Sequence, residues 1–129
     1  MTYDETINYL FNAAPLFQNV GAGAYKEGLS NTHLLDAHFN HPHNQFKTIH
    51  VAGTNGKGSC AHTIAAMLQH KGLRVGLYTS PHLVDFRERI RINGQMIPQQ
   101  YVVDFVENER SFFEPLHPSF FELTTALAF

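Results

Sequence analysis

The residues of this chain best suited to chemistry are seven consecutive ones, Gly53, Thr54, Asn55, Gly56, Lys57, Gly58 and Ser59. The three glycines allow the backbone to adopt positive φ and to approach an anion closely, so successive N–H groups can converge on phosphate oxygens. Lys57 adds a positive charge, and Ser59 adds a hydroxyl that can cap a helix or bind a metal ion. The segment therefore predicts a phosphate-binding loop for a nucleoside triphosphate.

The spacing of this loop departs from the common pattern G-x-x-x-x-G-K-[ST]. Val51 stands where that pattern has its first glycine, and Gly58 directly follows the lysine. An ordinary glycine-rich turn between a strand and a helix is the alternative interpretation. The lysine placed after an apolar run favours phosphate binding over that alternative.

The segments around the loop predict a βαβ unit. Residues 47–52 are mostly apolar, as in a strand buried on both faces of a parallel sheet, and residues 73–78 predict the second strand. The helix between them ends at Lys71 and Gly72, and its inner face consists of Cys60, Ile64, Met67 and Leu68. Cys60 is interpreted as a small core residue. The expected class is α/β with a parallel sheet, whose strand ends place the loop and residues 79–82 at one edge.

Further elements are indicated on both sides of this unit. Thr2 and Glu5 have capping-box spacing before a helix over residues 3–14, which Pro15 ends, and Ser30 or Asn31 is expected to cap a second helix. Residues 17–29 are expected to be a loop, and Asn93-Gly94 predicts a two-residue hairpin within residues 89–97. Helices are also expected after Pro98, with Val102, Phe105, Val106 and Phe112 inside, and from about Ser119 to Phe129. The last helix has no stop signal, so we expect the chain to be cut off inside an element.

Length and composition limit the possible classes of protein. The 129 residues, 43% of them apolar, suit one domain, and the net charge of −2 without a basic block argues against nucleic-acid binding. A single cysteine, an acidic amino terminus and no long apolar run predict a cytoplasmic protein without a membrane anchor. His38, His41 and His43 invite a metal interpretation, but no cysteine accompanies them and Pro42 lies among them, so no metal site is assigned.

Three ordered segments carry a resemblance to a known family: residues 50–59, residues 78–83 (Tyr-Thr-Ser-Pro-His-Leu) and residues 88–94 (Glu-Arg-Ile-Arg-Ile-Asn-Gly). Together they resemble the amino-terminal part of folylpolyglutamate synthase and the bifunctional dihydrofolate synthase, members of the Mur ligase superfamily. The resemblance implies that residues 1–129 are the amino-terminal portion of a P-loop-containing, Mur-ligase-like ATP-binding domain. The rest of that domain and the carboxyl-terminal glutamate-ligase domain would then be absent.

The resemblance also implies an activity and a set of site residues. The parent enzyme would join L-glutamate to dihydropteroate or a reduced folate, using ATP and Mg²⁺ and an acyl-phosphate intermediate. ATP would bind at Gly53–Ser59 with Lys57 at the terminal phosphates, Mg²⁺ at Ser80 and Glu122, and folate near His82, Asp85 and Arg89.

Alternative interpretations of these residues and of the whole chain stay open. Glu122 could be an acid at a helix start, Ser80 a turn residue, and Arg89 an ion-pair partner of Glu88 or Asp85. A kinase or regulatory NTPase and an inactive nucleotide-binding fragment are the alternative functions. The parent is expected to be monomeric, and the fragment to self-associate through uncovered apolar surface and to be inactive by itself.

Overall fold

The computed structural model describes residues 1–14 and 28–129. Those residues contain five α-helices and three short strands. The helices are α1 (Tyr3–Ala13), α2 (Ser30–His38), α3 (Lys57–His70), α4 (Gln99–Phe113) and α5 (Phe120–Ala128). The strands are β1 (Gly76–Tyr78), β2 (Ile90–Ile92) and β3 (Gln95–Met96). The expected stop at Pro15 and most of the loop expected over residues 17–29 lie outside the described residues.

The described chain divides into two compact units. One comprises Met1–Lys47 with Gln100–Phe129, and the other comprises Thr48–Gln99. Across the two described ranges, no helix has the length and apolar content needed to cross a membrane.

The first unit is helical, and its first helix begins as the sequence predicts. The Thr2 side chain accepts a hydrogen bond from the Glu5 N–H, and the Glu5 carboxylate accepts one from the Thr2 N–H. Leu10 on α1 is buried, and Phe11 stacks on Phe120 of α5 with ring centroids 5.3 Å apart. Apolar faces of α1, α2, α4 and α5 share one core, which contains Leu10, Leu35, Val102, Val103, Val106, Phe113, Phe120, Leu123 and Leu127.

Two details of this unit differ from the prediction. Leu29, without any side-chain cap, occupies the N-cap of α2, so the expected Ser30 or Asn31 cap is wrong. On α4, Phe113 is buried while Phe112 is half-buried against the His38 ring, with centroids 3.7 Å apart. Neighbouring positions on a helix differ by about 100°, so tertiary contacts decide which aromatic ring enters the core.

The second unit contains a three-stranded antiparallel sheet in the order β1-β2-β3. The predicted hairpin is confirmed: β2 and β3 flank Asn93 (φ 50°) and Gly94 (φ 80°). Two consecutive positive φ values are the geometry of the type I′ turn that Asn-Gly favours. Helix α3 ends with the predicted Lys71-Gly72 pair, where Gly72 has φ 86°.

The predicted strand over residues 47–52 is not formed in the described structure, and neither is a parallel pair with β1. Residues 47–50 are exposed and form no strand, and β1 pairs with β2 in an antiparallel arrangement instead. An apolar run specifies burial, whereas a strand also needs a neighbour that supplies its N–H and C=O partners. Cys60 and Met67 of α3 are likewise exposed, which corrects the core role expected for Cys60.

Candidate functional site

The loop at residues 53–59 runs directly into the amino terminus of α3. Gly56 is the N-cap residue with φ 76°, and no side chain caps the helix. The Gly56 carbonyl accepts the Cys60 N–H at 3.0 Å, the first hydrogen bond of the helix. The N–H groups of Lys57, Gly58 and Ser59 precede this bond in the first turn, and all three residues are exposed. Uncapped N–H groups at a helix start, together with the helix dipole, attract anions.

Glycine is needed in this loop for backbone conformation. Gly53 has φ 153° and Gly56 has φ 76°, values that side-chain-bearing residues rarely adopt. A Cβ at Gly56 would meet no atom within 4 Å, so the conformation of the backbone, and not crowding, selects glycine there. The Lys57 Nζ donates to the Gly53 carbonyl at 2.6 Å, so its ammonium group is folded back over the loop. These donors and this charge fit a phosphate group.

Ser80 follows β1, as the sequence predicts. The preceding residue, Thr79, donates its N–H to the carbonyl of Arg89, the residue just before β2, at 2.9 Å. This bond extends the pairing of β1 with β2 by one residue. Ser80 itself is exposed and is joined to Pro81 by a cis peptide bond. Its hydroxyl is therefore on the surface of the second unit.

Glu88 organises the loop after Ser80, a role that the sequence reasoning missed. Its carboxylate accepts the N–H groups of Leu83, Val84 and Asp85 at 3.0, 2.9 and 2.6 Å. These hydrogen bonds, led by the one from Asp85, lower the pKa of Glu88. Leu83 and Val84 are 90% and 91% exposed, so a fixed backbone carries two exposed apolar side chains. The capping-box spacing of Asp85 and Glu88 was the signal available in the sequence.

Asp85 pairs with Arg87. The Arg87 Nη2 and Nε donate to the Asp85 carboxylate at 2.9 and 3.1 Å, and both side chains are partly buried. The Asp85 Oδ1 also accepts the Arg87 N–H at 2.9 Å. Asp85 thus has a structural role in the turn, while its expected contact with folate stays a prediction.

Arg89 and His82 are brought together by the structure. Arg89 is 3% exposed, and its Nε donates to His82 Nδ1 at 2.7 Å. Burial lowers the pKa of Arg89. The pKa of His82 is also lowered, mainly by burial and secondly by the positive charge of Arg89. This bond was not among the alternatives that the sequence offered for Arg89.

Glu122 lies in the first unit, at the start of α5. Its Oε2 accepts the Ser119 N–H at 2.8 Å, and the Ser119 hydroxyl accepts the Glu122 N–H at 3.1 Å. The alternative interpretation of Glu122 as an acid at a helix start is therefore confirmed. The second carboxylate oxygen, Oε1, is not used by this capping box, so metal binding stays a prediction.

The three histidines interact with carboxylates. His38 Nε2 lies 2.6 Å from a Glu109 oxygen, while His41 and His43 both contact Asp36 through Nδ1. The hydrogen bond with His41 is the main cause of a lowered pKa at Asp36. Within residues 1–14 and 28–129, no group of three or more His, Cys, Asp or Glu residues is arranged to hold a metal ion.

The chain is similar to folate ligases. It is 40% identical over 110 residues, or 81% of its length, to dihydrofolate synthase/folylpolyglutamate synthase from Bacillus subtilis, of which this match covers 26%. The crystal structure of folylpolyglutamate synthase from Thermotoga maritima matches 98% of the chain with TM-score 0.84 and 39% identity, and 29% of that protein is covered. A folylpolyglutamate synthase in complex with AMPPCP and folate matches 99% with TM-score 0.77 and 39% identity, and 31% of it is covered.

No protein-family model matches the chain. The chain spans between 15% and 30% of the length of the curated relatives it matches. The two structural matches cover 98% and 99% of this chain, with TM-scores of 0.84 and 0.77 and 39% identity in both. Over nearly all of its residues, the chain is therefore homologous to proteins named folylpolyglutamate synthase and dihydrofolate synthase.

Proposed function

We propose that the protein to which this chain belongs is an ATP-dependent ligase that joins L-glutamate to a folate or to dihydropteroate. The observation that carries the proposal is the uncapped, glycine-shaped start of α3 with Lys57 folded over it, in a chain related to folylpolyglutamate synthases. The related protein bound to AMPPCP and folate supports ATP and folate as ligands of this chain also. Gly53–Ser59 would then hold the triphosphate.

The proposed chemistry explains why such a loop is needed. A carboxylate is a poor electrophile, and transfer of the γ-phosphoryl group to one of its oxygens creates a good leaving group. The amine of glutamate then attacks the carbonyl carbon of the acyl phosphate, and inorganic phosphate leaves as the amide bond forms. Lys57 and the N–H groups of α3 stabilise the negative charge that spreads over the phosphoryl oxygens during transfer.

We further propose Ser80 and Glu122 as the protein ligands of Mg²⁺. The exposed Ser80 hydroxyl and the Glu122 Oε1 are hard oxygen donors, and Mg²⁺ in nucleotide sites commonly takes one or two protein ligands beside phosphates and waters. When bound, the metal supplies positive charge at the phosphate oxygens. Glu122 can keep its Oε2 bond to Ser119 while Oε1 serves this role.

The decisive experiment measures ADP release and amide formation by the full-length protein. We expect ADP release to require both a folate acceptor and L-glutamate, and mass spectrometry to detect the glutamylated product. Equal ADP release without acceptor and glutamate would instead identify an NTPase and refute the ligase proposal. A paired assay with dihydropteroate and tetrahydrofolate then identifies the preferred acceptor.

Nucleotide binding by the loop is tested with two lysine variants on the same helix. Lys57→Ala removes the ammonium at the start of α3, and we expect ATP affinity measured by calorimetry to fall at least about tenfold. Lys71→Ala removes the same charge at the C-cap of α3, and we expect affinity to stay within about twofold of the parent. Equal affinities for both variants, with folding verified by circular dichroism, would contradict the loop assignment.

We also propose that the 129-residue chain by itself makes no folylglutamate. It spans at most 30% of the curated relatives compared above, and the glutamate site expected from the resemblance lies outside it. Detection of a glutamylated folate after incubation of this chain with ATP, folate and glutamate would overturn that proposal.

A further inference from the structure

Arg91 brings a positively charged side chain to the face of the sheet that packs against α3. In the ladder between β1 and β2, Arg91 lies directly opposite Leu77, so the two residues share one face. Val75, two residues before Leu77, belongs to the same face. Gln69 of α3 donates its Nε2–H to the Asn93 carbonyl at 3.1 Å, which ties the helix to the hairpin. A guanidinium group thus lies where a covered sheet usually carries an apolar side chain.

The guanidinium group of Arg91 has a buried donor that the described chain does not use. Across residues 1–14 and 28–129, Arg91 Nε is the one buried side-chain nitrogen or oxygen atom without a hydrogen-bond partner. Arg87 and Arg89 instead donate to Asp85 and His82. Arginine stays protonated in proteins, so Arg91 cannot avoid the cost of burial by losing its charge. A buried donor without a partner is costly, which favours an acceptor from outside the described residues.

A cavity of about 150 Å³ adjoins Arg91 within the second unit. It lies between α3, which contributes His62 and Gln69, and the strands, which contribute Leu77 and Arg91. None of the described residues that line it is an aspartate or a glutamate. A cavity with polar donors and a positive charge, and without a carboxylate in its lining, favours an anion.

The size and the donors of this cavity suit a small oxyanion. The Nε–H and one Nη–H of a guanidinium group are parallel, so together they can bind two oxygens of one carboxylate or phosphate. The His62 ring has an N–H in either neutral tautomer, and the Gln69 amide has a second hydrogen beside the one donated to Asn93. One water needs a cavity of about 10–15 Å³, so the volume beside Arg91 has room for such a group.

We propose that this cavity is a binding site for a small free oxyanion, a phosphate or carboxylate group, which Arg91 holds through its Nε–H. The site is separate from the phosphate loop, because Lys57 begins α3 whereas His62 and Gln69 lie further along that helix. The inference does not depend on the ligase function, since that function assigns no role to Arg91, His62 or Gln69.

The site is tested by the Nε–H signal of Arg91 in nuclear magnetic resonance spectra of the full-length protein labelled with ¹⁵N-arginine. Both Arg91→Gln and Arg91→Lys remove this signal, so its assignment does not depend on the folding of one variant. We expect inorganic phosphate or acetate to shift the signal to saturation, and sodium chloride at equal ionic strength to leave it in place. A signal that neither anion shifts, because water or another part of the protein already bonds to Nε, would overturn the proposal.

Calorimetry with the anion that shifts the signal separates Arg91 from the phosphate loop, which also attracts anions. All proteins compared carry Lys57→Ala, which weakens the loop. In this background we expect Arg91→Gln to reduce affinity at least about tenfold. Arg74→Gln removes the same charge at an exposed residue of the second unit and is the control, with affinity within about twofold of the background protein.

The outcomes decide both the site and the class of its ligand. Equal affinities of the Arg91→Gln and Arg74→Gln proteins, with folding verified by circular dichroism, would overturn the site. A response of the Arg91 signal to phosphate alone supports a phosphate ligand, and a response to acetate alone supports a carboxylate ligand. A full-length protein that ligates no glutamate would refute the proposed function and leave the anion site standing.

Discussion

The capping box at the start of α5 makes a quantitative prediction about Glu122, because this residue has an observed structural role and a proposed metal-binding role. Ser119→Ala removes the acceptor of the Glu122 N–H, a bond of 3.1 Å at a residue that is only 9% exposed. Loss of such a cap costs about 1 kcal/mol on average, and burial of the orphaned N–H adds to this. We therefore expect a loss of about 1.5 kcal/mol in the free energy of unfolding.

Glu122→Gln is expected to be milder. A glutamine oxygen can still accept the Ser119 N–H, so only the charge near the helix amino terminus is lost, at about 0.5 kcal/mol. For a chain of 129 residues these losses correspond to decreases in Tm of about 6 °C for Ser119→Ala and about 2 °C for Glu122→Gln. Ser111→Ala on the exposed side of α4 is the matched control, with a change within about 2 °C.

Thermal unfolding followed by circular dichroism, supported by urea titration, measures these values. Equal Tm decreases for Ser119→Ala and Ser111→Ala would refute the energetic role of the cap. A Glu122→Gln variant as unstable as Ser119→Ala would show that charge, not the reciprocal hydrogen bonds, stabilises the helix start. In the full-length protein, Glu122→Gln should lose ligase activity while keeping its fold, since an amide is a poor Mg²⁺ ligand compared with a carboxylate.

Three further predictions concern the Tyr9 hydroxyl, the backbone at Gly94 and the exposed side chains of Leu83 and Val84. Burial, followed by the 2.6 Å hydrogen bond that the Tyr9 hydroxyl donates to Glu114, raises the pKa of Tyr9 to about 12. The contribution of Tyr9 to stability is therefore present below pH 10.0 and is lost as the pH rises towards 12. The difference in phenolate absorbance between the parent and Tyr9→Phe should have a midpoint near pH 12, and a midpoint near pH 10 would contradict this prediction. Gly94→Ala forces a side chain to φ 80° and should destabilise the chain by about 1 kcal/mol in urea unfolding, whereas an unchanged midpoint would argue against the type I′ turn. The apolar side chains of Leu83 and Val84 are 90% and 91% exposed, so we expect the chain to self-associate at high concentration. A monomeric sedimentation profile at all protein concentrations would refute this prediction.

Much of the local structure could be read from the sequence, because short-range chemistry decides it. The Thr2–Glu5 capping box, the Asn93-Gly94 hairpin and the Lys71-Gly72 helix end all appear where their residues predict them. Each depends on atoms within about five residues, so no distant partner is required. The glycines at positions 53 and 56 are of the same kind, since a positive φ is a local requirement of the backbone.

Pairing of strands and the partners of charged side chains were decided by the tertiary structure. The apolar run over residues 47–52 predicted a strand, yet the described chain gives it no partner, and β1 pairs with β2. The sequence offered Glu88 and Asp85 as partners of Arg89, but folding places His82 against its Nε. Which groups meet across a loop depends on how the backbone turns there.

The sequence itself was enough to predict a phosphate-binding loop with its lysine and to show the family resemblance, since both depend only on residue types and their order. Only the tertiary structure decided that Glu88 braces the loop after Ser80, that Glu122 already serves a helix cap, and that Arg89 donates a hydrogen bond to His82. The physical reason is that hydrogen-bond direction and burial exist only once separate segments are packed, and both decide what a titratable side chain can do.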